Sequence, residues 1–142
     1  MIYSHFHGDH YLGAQGVLPP DQDMSIQIIT PEGFMEAVMG ESILAGPAMR
    51  KRGCLHVRQR TFTGTWWPNR RRPGYGLKWE HVVDGIRIVF QMVPGTEAPA
   101  KIPFYFLAFR ALCVAEMATN YMHNIVTLRG AQVRDAKAWS GH

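Results

Sequence analysis

Apolar and polar positions alternate most clearly between residues 80 and 90. There Glu80-His81-Val82-Val83 runs into Asp84-Gly85, after which Ile86, Ile88 and Phe90 alternate with polar Arg87 before Val89. A two-residue period on either side of an Asp-Gly pair predicts a β-hairpin turning at Asp84-Gly85. Beyond a turn at Pro94-Gly95, apolar stretches over residues 102–109 and 111–115 predict a second strand pair. Ile2-Tyr3 reads as a strand tail, and the β-branched run at 25–29 as a short buried strand. Pro19-Pro20-Asp21 marks a loop. Helices are predicted from Asp9-His10-Tyr11-Leu12, from Thr30-Pro31-Glu32-Gly33 to at least Met39, and over 132–140. In the second, Pro31 takes the first helical position, an acid lies in the first turn, and Phe34, Ala37 and Val38 share one side. A resumption to Lys51 follows the Gly46-Pro47 break. Strands in the middle with helices flanking them predict an α+β chain, a layered αββα arrangement.

The composition fits that reading: 46% hydrophobic and 11% aromatic residues belong to a core-forming chain, not a disordered one. No run of 18 apolar residues is present to form a membrane-spanning helix, and no signal-peptide pattern opens the chain. Its 142 residues suit one domain or a piece of a larger one. The start almost directly on Ile2-Tyr3-Ser4-His5 and the stop just after a helix are the expectation for a fragment, so compartment is left open. Cys54 and Cys113 have no metal-type spacing, and Cys113, in an apolar run, is expected to be a buried, unpaired thiol.

The net charge of +4 is uneven, with nine of the 15 basic residues between Arg50 and Lys78 and no acid from Ser42 to Trp79. Residues 53–77 are rich in Gly, Pro, Arg and Trp without periodicity, which predicts a long loop or lid. The basic stretch from Arg50 to Lys78 leaves two readings: a solvated basic loop, or an anion- or nucleic-acid-binding surface.

The chemically specific feature is His5-Phe6-His7-Gly8-Asp9-His10. Residues i and i+2 of an extended segment point the same way, so His5 and His7 can grip one metal. Asp9 and His10, a turn later, point toward a second. Imidazole and carboxylate are zinc's usual donors, and two ions roughly 3.5–4 Å apart can clamp a polar ester. Four ligands do not complete two sites. Glu97, in the turn Pro94-Gly95-Thr96-Glu97-Ala98-Pro99, and Glu116, after an apolar strand, can supply more, although a lone glutamate at a strand end is more often a solvated cap.

The run from Tyr3 to Gly13 resembles the HxHxDH loop of metallo-β-lactamase-fold hydrolases. Thr30-Pro31-Glu32-Gly33-Phe34-Met35-Glu36, Pro94-Gly95-Thr96-Glu97-Ala98-Pro99-Ala100 and the stretch from Leu128 to Ser140 narrow this to the linear alkyl sulfatases. The resemblance implies a partial metallo-β-lactamase-like αββα domain over 1–142, lacking N-terminal strands and a C-terminal part. It also implies two zinc ions and hydrolysis of alkyl sulfates to alcohol and sulfate. His5, His7 and Glu97 would hold one zinc, Asp9 and His10 the second, and Glu116 would bridge. The family's further histidine lies beyond this chain's end, which leaves the second site incomplete.

Asp9 and Arg129 are the candidate catalytic residues. Asn124 and Arg129 match positions that hold the sulfate, with Arg134 near enough to assist; a guanidinium fork suits sulfate oxygens. His123 is a candidate general acid, with a structural histidine as the alternative. Phe34, Met35, Met39 and Leu44 would line an alkyl groove or simply form core. The Trp- and Arg-rich 53–77 segment departs from the family's Gly-rich one, which bears on substrate preference. The expected partner is a small alkyl sulfate, not nucleic acid or membrane, and the longer family proteins are homodimers. The alternatives are another hydrolase of this fold, acting on a thioester, lactam or phosphodiester, and a basic nucleic-acid-binding module.

Overall fold

In this computed structural model the described residues are 1–17, 26–44, 46, 78–121, 123–127 and 131–142. The predicted loop or lid at 53–77, the Pro19-Pro20-Asp21 turn, Cys54, most of the basic stretch, the helical resumption toward Lys51 and Arg129 all lie outside them. The structure is α+β. Four strands, β1 (Lys78–Val83), β2 (Ile86–Gln91), β3 (Phe104–Phe106) and β4 (Ala111–Cys113), form an antiparallel sheet in sequence order.

The hairpin of β1 and β2 turns where predicted. Asp84 and Gly85 both take left-handed backbone angles, φ 49° and 79°, the requirement of a two-residue turn matched to strand twist. Val83 pairs with Ile86 and Lys78 with Gln91. Ile88 and Phe90 point inward and are buried, packing with Met92 and Ile102; Trp79, Phe104 and Phe106 lie against them. Trp79 stacks on Phe90 with ring centroids 5.0 Å apart.

The second predicted pair is shorter than its apolar run. β3 stops at Phe106 because residues 107–110 turn, with Arg110 at φ 52°. β4 stops at Cys113, where Ala115, at φ 49°, starts the one-turn 3-10 helix Ala115–Met117. Leu112 is 63% exposed, so the run around Cys113 is not the buried strand expected; Cys113 is a half-buried free thiol. An apolar run shows what could be buried, not which side of a sheet is covered.

Between the sheet and the helices runs the N-terminal segment. Tyr3 N–H donates to Ile29 O and Ile29 N–H to Met1 O, each at 2.9 Å, so Ile2 bridges Ile29 in parallel. On the other side His5 bridges Lys101, and Ile102 N–H donates to Ser4 O at 2.8 Å. The strand predicted at 25–29 is thereby reduced, among the described residues, to the single bridge at Ile29. Consecutive side chains of this segment point to opposite faces. Ile2 joins the core under the sheet, and Tyr3 joins a second core of Phe6, Ala14, Phe34 and Ala98.

Helix α1 (Gly8–Tyr11) takes in the second half of the His-rich run, Gly8-Asp9-His10, and passes into the 3-10 helix Leu12–Gly16. Helix α2 (Phe34–Leu44) begins three residues later than the Pro31 start predicted, because Gly33 takes φ 76° and closes a turn instead. Phe34 is 3% exposed and stacks 5.8 Å from Tyr3, so it is core and not groove lining. Met35 packs on the same cluster, and Met39 is exposed. Helix α3 (Ala136–Ser140) is shorter than the predicted 132–140, since the Asp135 side chain caps it by accepting from Lys137 N–H at 2.8 Å. The preceding backbone is committed elsewhere: Arg134 N–H donates to Ile125 O. Among the described residues, no helix is long and apolar enough to cross a membrane.

Candidate metal centre

His5 and His7 lie at the end of the N-terminal segment, on the same side of the extended backbone. His10 follows on α1. The turn after β2 brings Glu97 to them, and the 3-10 helix after β4 brings Glu116. Among the described residues two donor groups result, His5-His7-Glu97 and His5-His10-Glu116, in each of which one ligand atom per residue lies within 4.8 Å of the others.

His5 is the hinge of the cluster. It is fully buried, its Nδ1 lies 3.0 Å from Ser4 Oγ, and its Nε2 faces His7 Nδ1 at 3.0 Å. The same Nε2 stands 3.5 Å from Glu97 Oε2 and 3.4 Å from Glu116 Oε2. His7 Nδ1 meets Glu97 Oε1 at 2.9 Å, and His10 Nε2 pairs with Glu116 Oε1. Burial, reinforced by the Lys101 ammonium, pushes the His5 imidazole down to about 3, which keeps it neutral and able to donate a lone pair at neutral pH. Burial alone would raise the Glu97 carboxyl. Hydrogen bonds and charge from His7 and Lys101 outweigh that and hold it well below the usual carboxylate range. At Glu116 burial is likewise overcome, first by the Lys101 hydrogen bond and also by the Lys101 charge.

The structure places the other predicted residues differently. The Asp9 side chain is 81% exposed and 3.7 Å from His10 Nε2; it is in neither donor group. Asn124, at φ 60°, turns its amide inward to donate to Glu97 Oε1 at 2.7 Å. His123 Nε2 lies 3.1 Å from that amide nitrogen. Arg134 is 7% exposed and sits behind Glu97, donating from Nε to the Glu97 carbonyl at 3.1 Å and from one terminal nitrogen to Gln132 O at 2.8 Å. Its other terminal nitrogen is 3.8 Å from Glu41 on α2.

Lys101 was not anticipated. Fully buried, it donates to Glu97 Oε2 at 2.8 Å and to Glu116 Oε2 at 2.9 Å. A sequence signal existed, a single cation four residues after Glu97 at the head of an apolar run. Its second partner, fifteen residues on, becomes a neighbour only when the chain folds.

The donor set fits a metal ion. Three imidazoles and two carboxylates converge, and burial keeps the central imidazole neutral. These are zinc's preferred ligand types. The fold and the cluster together define an α+β protein with candidate His/Glu metal-binding groups.

No protein-family model matches the chain. Curated relatives do. The chain is 36% identical to an alkyl/aryl-sulfatase of Saccharomyces cerevisiae, with 99% of this chain aligned to 25% of that protein. It is 35% identical to an (R)-specific secondary-alkylsulfatase of Pseudomonas sp., with 100% of this chain aligned to 24% of that protein. Among solved structures, the stereoselective inverting sec-alkylsulfatase Pisa1 from Pseudomonas sp. superposes with a TM-score of 0.80 at 34% identity, over 99% of this chain and 25% of that one. The chain is thus related along its whole length to the alkylsulfatases. It spans about a quarter of the length of the relatives it matches.

Proposed function

We propose that this chain carries the metal centre of a zinc-dependent alkyl sulfatase, which converts an alkyl sulfate and water to an alcohol and hydrogen sulfate. The convergence of His5, His7, His10, Glu97 and Glu116, in a chain related to alkylsulfatases, carries the proposal. Two overlapping donor groups support a reading of two zinc ions on a partial metallo-β-lactamase-like αββα sandwich. His5, His7 and Glu97 would hold one ion. His10 and Glu116 would hold the other, with Asp9, on the exposed side of His10, as a further ligand. When bound, zinc supplies Lewis acidity and lowers the pKa of water at neutral pH.

The chain's own residues supply position and charge. Arg134 fixes the Glu97 turn through its carbonyl, so it acts on substrate through Glu97. Asn124, which donates to Glu97 Oε1, would also donate to a sulfate oxygen entering beside it. Arg129, by resemblance, takes up charge on the departing sulfate. His123, on the same turn as Asn124, is the candidate to hand a proton to the bridging ester oxygen as it leaves with the sulfate.

The test is release of inorganic sulfate from dodecyl sulfate by the zinc-supplemented protein. We expect release that Glu97→Gln lowers at least a hundredfold. Zinc-bound protein that cleaves a thioester or phosphodiester but frees no sulfate would overturn the substrate assignment.

A further inference from the structure

Lys101 is a charged group in the middle of a site meant for cations, and its placement is rigid. Its backbone bridges His5 on one side and accepts from Val93 N–H at 3.0 Å on the other. Ala100 and Ile102 beside it are buried, at 2% and 0% exposure. The side chain therefore cannot lift its ammonium to solvent without disturbing the strand, unlike a lysine on a surface. A buried ammonium is tolerated only when paired, and this one has two carboxylates.

The pairing divides each carboxylate. Lys101 Nζ takes Oε2 of Glu97 and Oε2 of Glu116. The remaining oxygens face separate histidines, Glu97 Oε1 toward His7 and Glu116 Oε1 toward His10. One ammonium thus leaves each glutamate one oxygen for its own donor group, with His5 between them. It also alters the charge that an incoming ion meets. Two carboxylates and one ammonium leave a single net negative charge, where a neutral residue at 101 would leave two.

We propose that Lys101 is a built-in counter-cation of the centre: it holds the metal-free donors in place and opposes metal loading. The proposal rests on the metal reading above. Zinc then binds against Lys101, and a second ion meets this opposition most strongly. Removing the ammonium has opposite effects on the two states. Metal-free protein loses the charge that keeps Glu97 and Glu116 together. Metal-loaded protein loses a repulsion.

The experiment compares the full chain with Lys101→Met by zinc calorimetric titration and thermal unfolding, each with and without zinc. The expected result is a lower Tm for metal-free Lys101→Met and a zinc Kd at least tenfold tighter than that of the unsubstituted protein. A folded variant with an unchanged or weaker zinc Kd overturns the proposal while leaving the metal centre intact. Zinc binding by neither protein overturns the metal centre, and the proposal with it. A second readout needs no variant. Of the four lysines, only Lys101 should show its ε-carbon NMR signal moving as zinc is added to lysine-labelled protein. Zinc binding with that signal unmoved overturns the proposal.

Discussion

His5 belongs to both donor groups, and its Nε2 is the atom they share. His5→Ala should therefore remove zinc from the whole centre, whereas His10→Ala should reduce only the group with Glu116; zinc per chain after desalting checks both. The buried charges also predict how metal-free protein responds to acid. His5 has an ordinary value of 6.5 unfolded and about 3 folded. Between those pH values the unfolded chain holds more protons, so acidification favours unfolding. Glu97 and Glu116 are depressed in the folded state, and their contribution is present above the unfolded value of 4.5 and lost as pH falls further. The urea midpoint of metal-free protein should thus fall from about pH 6.5 downward. A flat midpoint from pH 7 to 4 would contradict the placement of these groups. At this scale the His-rich run was legible because its donors lie within six residues of chain. Lys101 was not, since its meaning depends on Glu97 and Glu116 meeting over it.

The β1–β2 hairpin is the element that best follows from local sequence. Its alternation sets which faces are buried, and Asp84-Gly85 sets the turn. Phe90, at 0% exposure, is its central anchor. Phe90→Ala should cost about 3–5 kcal/mol by urea unfolding. Gly85→Val should cost roughly 1–2 kcal/mol, because Val resists the left-handed region. The elements that departed from prediction did so through tertiary hydrogen bonds and backbone turns. Among the described residues Ile29 pairs with the N-terminal segment alone, Gly33 delays α2, and the Arg134 backbone is held by Ile125 before α3 can start. Apolar pattern does not report those partners.

For the whole molecule, α+β class was readable from the order of strand and helix patterns, and the relation to alkylsulfatases agrees with it. The N-terminal segment joins two cores, one against α2 and one under the sheet, and the candidate metal centre lies at its end. Zinc should accordingly stabilise the fold, by about 2.7 kcal/mol at a free concentration one hundred times its Kd, seen as a rise in Tm that a chelator reverses. The most direct test of the centre itself is X-ray absorption at the zinc edge of the loaded protein. We expect nitrogen and oxygen neighbours at about 2.0–2.2 Å, with imidazole scattering, no sulfur, and loss of bound zinc in His5→Ala. A sulfur shell, or an unchanged spectrum in His5→Ala, would contradict it.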